Sequence, residues 1–248
     1  MRQRLFGVPV DNLSLAETLD RVEVLVRSRR PHRHVAMNVD KLVKVHRDPT
    51  LRRIVEGCDI INVDGQPLVW ASRAMGAPIK ERVAGIDLME ALVARSAARG
   101  WKVFFLGGEA AAVTSVVQYY QTVHPALRVA GWRDGYWDRA RETDVVQDVR
   151  HAGPDILFVA LGSPEKEHFI ERHLRELAVP FVMGVGGAFD VVAGLTRRAP
   201  QLLRRLGLEW FWRFLQEPRR MWKRYFIDDI QFIELLAREL WSAKVRRR

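Results

Sequence analysis

The sequence predicts an α/β protein, a Rossmann-like parallel sheet core with a carboxyl-terminal amphipathic helical appendage. Three observations predict it. Apolar, strand-like runs alternate with helix-like stretches, most cleanly after Lys102. Those runs are nearly continuous in apolar residues, as strands buried on both faces are. From Thr196 onward the composition changes: 14 Lys and Arg stand against 6 Asp and Glu, in a chain whose formal net charge is +10. The expected organisation is a core over 1–195 and a basic, aromatic-rich helical appendage over 196–248.

The elements follow in order. Leu5 to Val10 reads as a short strand. Asn12 or Ser14 can cap a helix carrying Leu15, Leu19, Val22 and Val26, and Arg29-Arg30-Pro31 ends it. His34 to Val39 is a second strand. Asp48-Pro49 supplies a cap followed by proline at the first helical position, and Gly57 closes that helix. A strand then runs from Asp59 into Val63, followed by Asp64-Gly65-Gln66-Pro67 and a helix around Leu68 to Met75. A loop holds Arg82 to Asp87, and a helix from Leu88 to Arg99 stops at Gly100. Val103 to Leu106 is a strand entering Gly107-Gly108, with a helix to about Tyr120. Leu127 to Ala130 is a strand, then a loop from Gly131 to Trp137 and a helix reaching His151. Ile156 to Leu161 is a strand ending in Gly162-Ser163-Pro164, followed by a polar helix to Leu177. Phe181 to Val185 is a strand ending in Gly186-Gly187. Past Pro200, leucines and aromatic residues mingle with arginines, and Pro218 opens a long helix reaching Trp241.

Composition bounds the function. With 48% hydrophobic and 28% charged residues the chain is globular, and its single cysteine, Cys58, excludes an internal disulfide or a cysteine zinc site. The amino terminus shows no signal peptide pattern, so a cytoplasmic location is expected. No apolar run reaches the ~18 residues of a membrane span. The basic tail carries four of the eight tryptophans. Basic residues mixed with Trp, Phe and Leu suit an anionic bilayer surface. Single-stranded nucleic acid is the rival partner, and packing onto the core is the plainer role.

Asp64 is the candidate for chemistry. It sits just past the carboxyl end of a buried strand, where open α/β sheets bind ligands. There a carboxylate can act as a general base, or can merely cap the next helix. Glycines after strands let a backbone approach phosphates, although each alone also serves as a tight turn. Neither a GxGxxG fingerprint nor a P-loop occurs, and Asp-x-Asp, HExxH and G-x-S-x-G are missing too. His168 and His173 lie on a polar helix and read as solvated. Asp64 is left as the acid/base candidate.

Several stretches then resemble one family. They are Asn62-Val63-Asp64-Gly65, Arg82-Val83-Ala84-Gly85-Ile86-Asp87, Phe105-Leu106-Gly107-Gly108, Leu161-Gly162-Ser163-Pro164 and Gly184-Val185-Gly186-Gly187-Ala188-Phe189-Asp190. Arg198-Ala199-Pro200, Gly207-Leu208-Glu209-Trp210 and Glu217-Pro218-Arg219-Arg220 follow in the same order. Together they resemble the WecG/TagA/CpsF glycosyltransferases over nearly the whole chain. The resemblance implies a metal-independent, inverting transfer of a hexose of ManNAc, ManNAcA or glucose type. The donor would be a UDP-sugar, with no further cofactor. The acceptor would be an undecaprenyl-diphosphate-linked sugar at the cytoplasmic membrane face, in cell-surface polysaccharide synthesis.

The resemblance implies Asp64 as base and Asn38 as an active-site asparagine. Arg82, Gly107, Gly108, Tyr136, Lys166, Gly186, Gly187 and Asp190 are the candidates for the donor. Arg213, Arg219, Arg220 and Arg224 are the candidates for the acceptor diphosphate or the membrane. An anionic membrane surface is then the expected partner, in preference to nucleic acid. The alternative functions are a nucleotide-sugar-binding regulator and, behind it, a basic nucleic-acid-binding module. Two departures stand out. Ala36 replaces a Thr common in the family, and Pro164-Glu165-Lys166-Glu167 replaces Pro-x-Gln-Glu. Lys166 could therefore face donor phosphates, face a carboxylate, or be exposed.

Overall fold

The computed structural model describes residues 2–205, 207–216, 218, 222 and 231–246. β1 (Arg2–Leu5) and β2 (Val8–Asp11) form an antiparallel hairpin that turns at Phe6-Gly7, both at positive φ. The expected single strand from Leu5 to Val10 is thus two. The turn lacks an Asn-Gly or Asp-Gly signature. Phe6 accepts the left-handed conformation with its ring buried, edge-on to Phe232 at 5.5 Å.

Ser14, not Asn12, caps α1 (Leu15–Arg27), in a reciprocal capping box with Glu17. β3 (His32–Met37) is followed by α2 (Val39–Arg47) and α3 (Pro49–Glu56), then by β4 (Ile60–Val63). The expected strand to Val39 stops at Met37 because Asn38 caps α2, its side-chain oxygen accepting from the Lys41 N–H at 2.9 Å. α4 (Gln66–Ala74) and α5 (Gly85–Arg99) cross to β5 (Lys102–Gly107). Then come α6 (Ala110–Val123), β6 (Arg128–Arg133), α7 (Glu142–Ala152), β7 (Ile156–Ala160), α8 (Glu165–Leu177) and β8 (Phe181–Gly184). α9 (Ala188–Val192), α10 (Gln201–Arg205), α11 (Glu209–Gln216) and α12 (Gln231–Arg246) complete the described chain. The part of the expected tail helix between Pro218 and Gln231 lies largely outside the described residues.

Six strands form one parallel sheet in the order β4-β3-β8-β7-β5-β6. Alternation along the strands sends side chains to two cores. Phe105, Phe158 and Phe181 pack with Leu88, Leu92 and Phe189 on one face. On the other, Leu157 and Val182 pack with Val145 and Phe169, while Val35 and Met37 pack with Leu42 and Leu51. Phe232, Leu235 and Leu236 of α12 rest against this second face beside the hairpin.

A directional chain of hydrogen bonds pins β3 against β4. The Thr18 hydroxyl donates to the Ser14 carbonyl at 2.8 Å, and the Asn62 amide donates to Thr18 Oγ1 at 3.0 Å. Asn62 Oδ1 is thereby left to accept from His34 Nε2 at 3.0 Å. Burial pushes the His34 imidazole down to about 4, against the hydrogen bond that it donates to Asn62, so it is neutral and protonated on Nε2. An imidazole whose folded pKa is depressed stabilises the fold fully above its unfolded value near 6.5. That contribution is lost as pH falls through about 4. The unfolding free energy should therefore fall by about 3 kcal/mol more between pH 7 and pH 4 than in a His34→Gln variant, read by urea denaturation.

Candidate active site

Parallel strands bring their carboxyl ends to one edge, and the candidate residues line that edge. Met37 pairs with Val63, so Asn38 and Asp64 stand side by side, one residue beyond adjacent strands. The Asp64 and Gly65 N–H groups both donate to the Met37 carbonyl, at 2.8 and 3.3 Å. A Cβ on Gly65 would lie 3.3 Å from Asn38 Cα, a tight contact, so glycine lets the two turns approach without either giving way. The Val83 N–H donates to the Val63 carbonyl at 2.9 Å and draws the Arg82 loop alongside.

Arg82 sits between two acids. Its Nη1 is 2.5 Å from Glu209 and 3.9 Å from Asp64 Oδ1. Glu209 opens α11, so the appendage meets the core at the candidate base. Behind it, the Gly207 backbone presses on Gln66, where a Cβ would come within 2.2 Å of Cγ. Arg198 bridges Asp87 and Glu90 of α5, and the Trp212 indole N–H donates to the Arg197 carbonyl at 3.0 Å. Segments from both ends of the sequence pattern, Arg82 to Asp87 and Arg198 to Glu209, are thus joined by ion pairs.

Farther along the edge lie the glycine turns. Gly107 has φ +115°, and a Cβ there would collide with the Ala160 carbonyl at 2.4 Å. The Gly135 N–H donates to the Gly108 carbonyl at 2.7 Å, bringing the loop after β6 onto this turn. Tyr136, next in that loop, is 76% exposed at the rim. Gly186 turns at φ +53° after β8, with Gly187 exposed beside it and Asp190 on α9.

Between these turns Lys166 is buried. Its stem lies over Gly184, with Cδ and Cε 3.0 and 3.1 Å from where a Cβ would sit. Its Nζ is 3.5 Å from Glu167 Oε1, which also takes a hydrogen bond from Lys41 Nζ at 2.6 Å. The exposed alternative for Lys166 is therefore excluded, and a carboxylate is its neighbour. Burial alone would raise the Glu167 carboxyl, but Lys41 and then Lys166 bring it down to about 2. Burial and the like charge of Lys41 push the Lys166 ammonium down to about 8, against the attraction of Glu167.

The structure does not gather every expected residue. The Arg213 side chain, Arg219, Arg220 and Arg224 lie outside the described residues. His173, expected to be solvated, is half-buried and bonds Glu142 at 2.8 Å and Glu176 at 3.1 Å. Glu167 and Glu209 lie in stretches that carry the resemblance, but nothing in the sequence marks them for a role. Lys41 lies on α2, a helix that the sequence does not predict. No set of three or more His, Cys, Asp and Glu residues is placed to hold a metal among the described residues. No described helix is long and apolar enough to cross a membrane.

Replacing Glu167 by Gln should leave two buried ammonium groups facing each other. The expected loss is about 3–5 kcal/mol of stability at pH 7, measured by chemical denaturation. Parity with the wild type would mean that Glu167 does not hold the cluster together.

A sequence model of the Glycosyl transferase WecG/TagA/CpsF family matches residues 3–246. Two curated relatives carry the same name, N-acetylglucosaminyldiphosphoundecaprenol N-acetyl-beta-D-mannosaminyltransferase. The protein of Bacillus spizizenii strain W23 is 32% identical over 197 residues, covering 79% of this chain and 76% of its own length. That of Bacillus subtilis strain 168 is 37% identical over 174 residues, covering 69% and 66%.

Proposed function

The chain belongs to the WecG/TagA/CpsF family of glycosyltransferases, and from that premise we propose that it moves a hexose from a UDP-sugar to an undecaprenyl-diphosphate-linked sugar. Two relatives named for N-acetylmannosamine transfer to such an acceptor support this class of substrate, with an N-acetylhexosamine as the first donor sugar to try. The observation that carries the mechanism is the placement of Asp64, half-buried at the carboxyl edge, between Asn38 and Arg82. In the proposed reaction Asp64 takes the proton from the attacking acceptor hydroxyl while UDP departs from the opposite face, inverting the anomeric carbon.

Negative charge grows on the departing diphosphate. In the proposed mechanism it is met by Arg82 and by N–H groups at the amino ends of α4, α6 and α8, none of which has a side-chain cap. The glycine turns at Gly107-Gly108 and Gly186-Gly187, with Tyr136 at the rim and Asp190, form the proposed donor cleft. Five neighbouring strands, from β4 to β5, span roughly 19 Å at the usual spacing, enough for an extended nucleotide sugar. No metal takes part in this proposal. The basic appendage would hold the enzyme to an anionic membrane surface, where the lipid acceptor lies. Arg213, Arg219, Arg220 and Arg224 are its proposed contacts with headgroups or the acceptor diphosphate.

Asp64→Asn should fold with an unchanged melting temperature and lose about 10²–10⁴-fold in kcat. Turnover should survive EDTA. Near-normal kcat in the variant would remove Asp64 from the base role, and EDTA inhibition reversed by Mn²⁺ would contradict metal-free transfer.

A further inference from the structure

The buried charges behind the Gly186 turn do not balance. Lys41 and Lys166 bring two cations to one carboxylate, Glu167, and the three side chains are 5%, 10% and 5% exposed. Lys41 makes the short bond to Glu167 and Lys166 the long one. Lys44 stands nearby on the same helix, already engaged with Asp40 and the Ser163 carbonyl, each at 3.1 Å. Glu167 Oε2 and the Ser163 hydroxyl oxygen are buried without a hydrogen bond of ordinary geometry. A buried charge without full compensation is costly, and a site that keeps one gains by binding an opposite charge. Lys166 is placed to receive it. Its stem follows Gly184, and Nζ reaches within 3.5 Å of where a Gly186 Cβ would stand, at the turn of the proposed donor cleft. Two glycines, at 184 and 186, leave the ammonium the room that a side chain would fill.

We propose that Lys166 is a donor-recognition residue, whose ammonium leaves Glu167 to pair with an anionic group of the UDP-sugar. This rests on the transferase reading above. The shared chemistry is a phosphate or carboxylate oxygen, from the diphosphate or from a sugar acid. Glu167 stays compensated by Lys41 when Lys166 turns away, so the exchange strands no charge.

Titration calorimetry on wild type and Lys166→Gln, with UDP, a neutral UDP-N-acetylhexosamine and a UDP-hexuronate, tests it. Loss of one ammonium–anion contact should weaken binding at pH 7 by about 10- to 100-fold. An equal loss for all three ligands assigns the contact to the diphosphate, and a loss confined to the hexuronate assigns it to the sugar carboxylate. Wild-type affinity should also decline as pH rises through about 8, where Lys166 loses its proton, and the variant should lack that decline. A merely structural lysine would not produce this difference. Variant affinities within twofold of wild type, with the same pH trend, would overturn the assignment while leaving the transferase reading intact. Should Lys166→Gln not fold, a wild-type affinity flat from pH 6.5 to 9.5 would overturn it equally. If the wild type binds no uridine diphosphate compound, the donor reading fails and the assignment falls with it.

Discussion

The parallel pairing of β3 with β4 is the constraint on which the candidate site depends. It sets Asn38 and Asp64 beside each other because Met37 and Val63 share a register. A slip of one residue would turn every side chain of one strand to the wrong face. The buried chain from Ser14 through Thr18 and Asn62 to His34 opposes that slip, since the bond from His34 to Asn62 crosses the two strands and would be lost in another register. Beneath it the hydrophobic packing is generic, whereas the hydrogen bonds have direction.

The edge that this pairing creates is a row of charges held against one another. Arg82 is shared by Asp64 and Glu209, and Glu167 is shared by Lys41 and Lys166. Both arrangements join distant parts of the chain. Glu209 comes from the appendage, 127 positions after Arg82, and Glu167 comes 126 after Lys41. Closing such long loops costs little more entropy than closing shorter ones, because the cost grows only with the logarithm of length. The packed sheet has already drawn the ends together, so the ion pairs set orientation within a frame that hydrophobic burial supplies.

Much of this fold was legible because a parallel sheet writes itself as apolar runs separated by helices. The runs at Val103, Ile156 and Phe181 became β5, β7 and β8 within a residue or two. The hairpin was not legible, since its turn is held by the burial of Phe6 rather than by turn chemistry. α2 was not legible because Asn38 continues an apolar strand pattern, and its capping of the Lys41 N–H is a property of the folded backbone. Asp64 and the glycine turns were legible from their position after strands. Glu167 and Glu209 were legible only as members of the stretches that carry the resemblance, and the ion pairs that they make with Lys41 and Arg82 arise from tertiary contacts that no local pattern records.

The proposed reaction at this edge moves a sugar to a lipid-linked acceptor. The most direct measurement incubates the purified protein with a panel of UDP-hexoses and a short-chain polyprenyl-diphosphate N-acetylglucosamine. Mass spectrometry then reads the lipid product, and NMR reads the configuration of the new bond. A lipid-linked disaccharide is expected from at least one donor, with inverted anomeric configuration and stoichiometric release of UDP. A product of retained configuration would contradict the base role of Asp64. Binding of UDP-sugars with no disaccharide formed from any donor would contradict the proposed transfer itself.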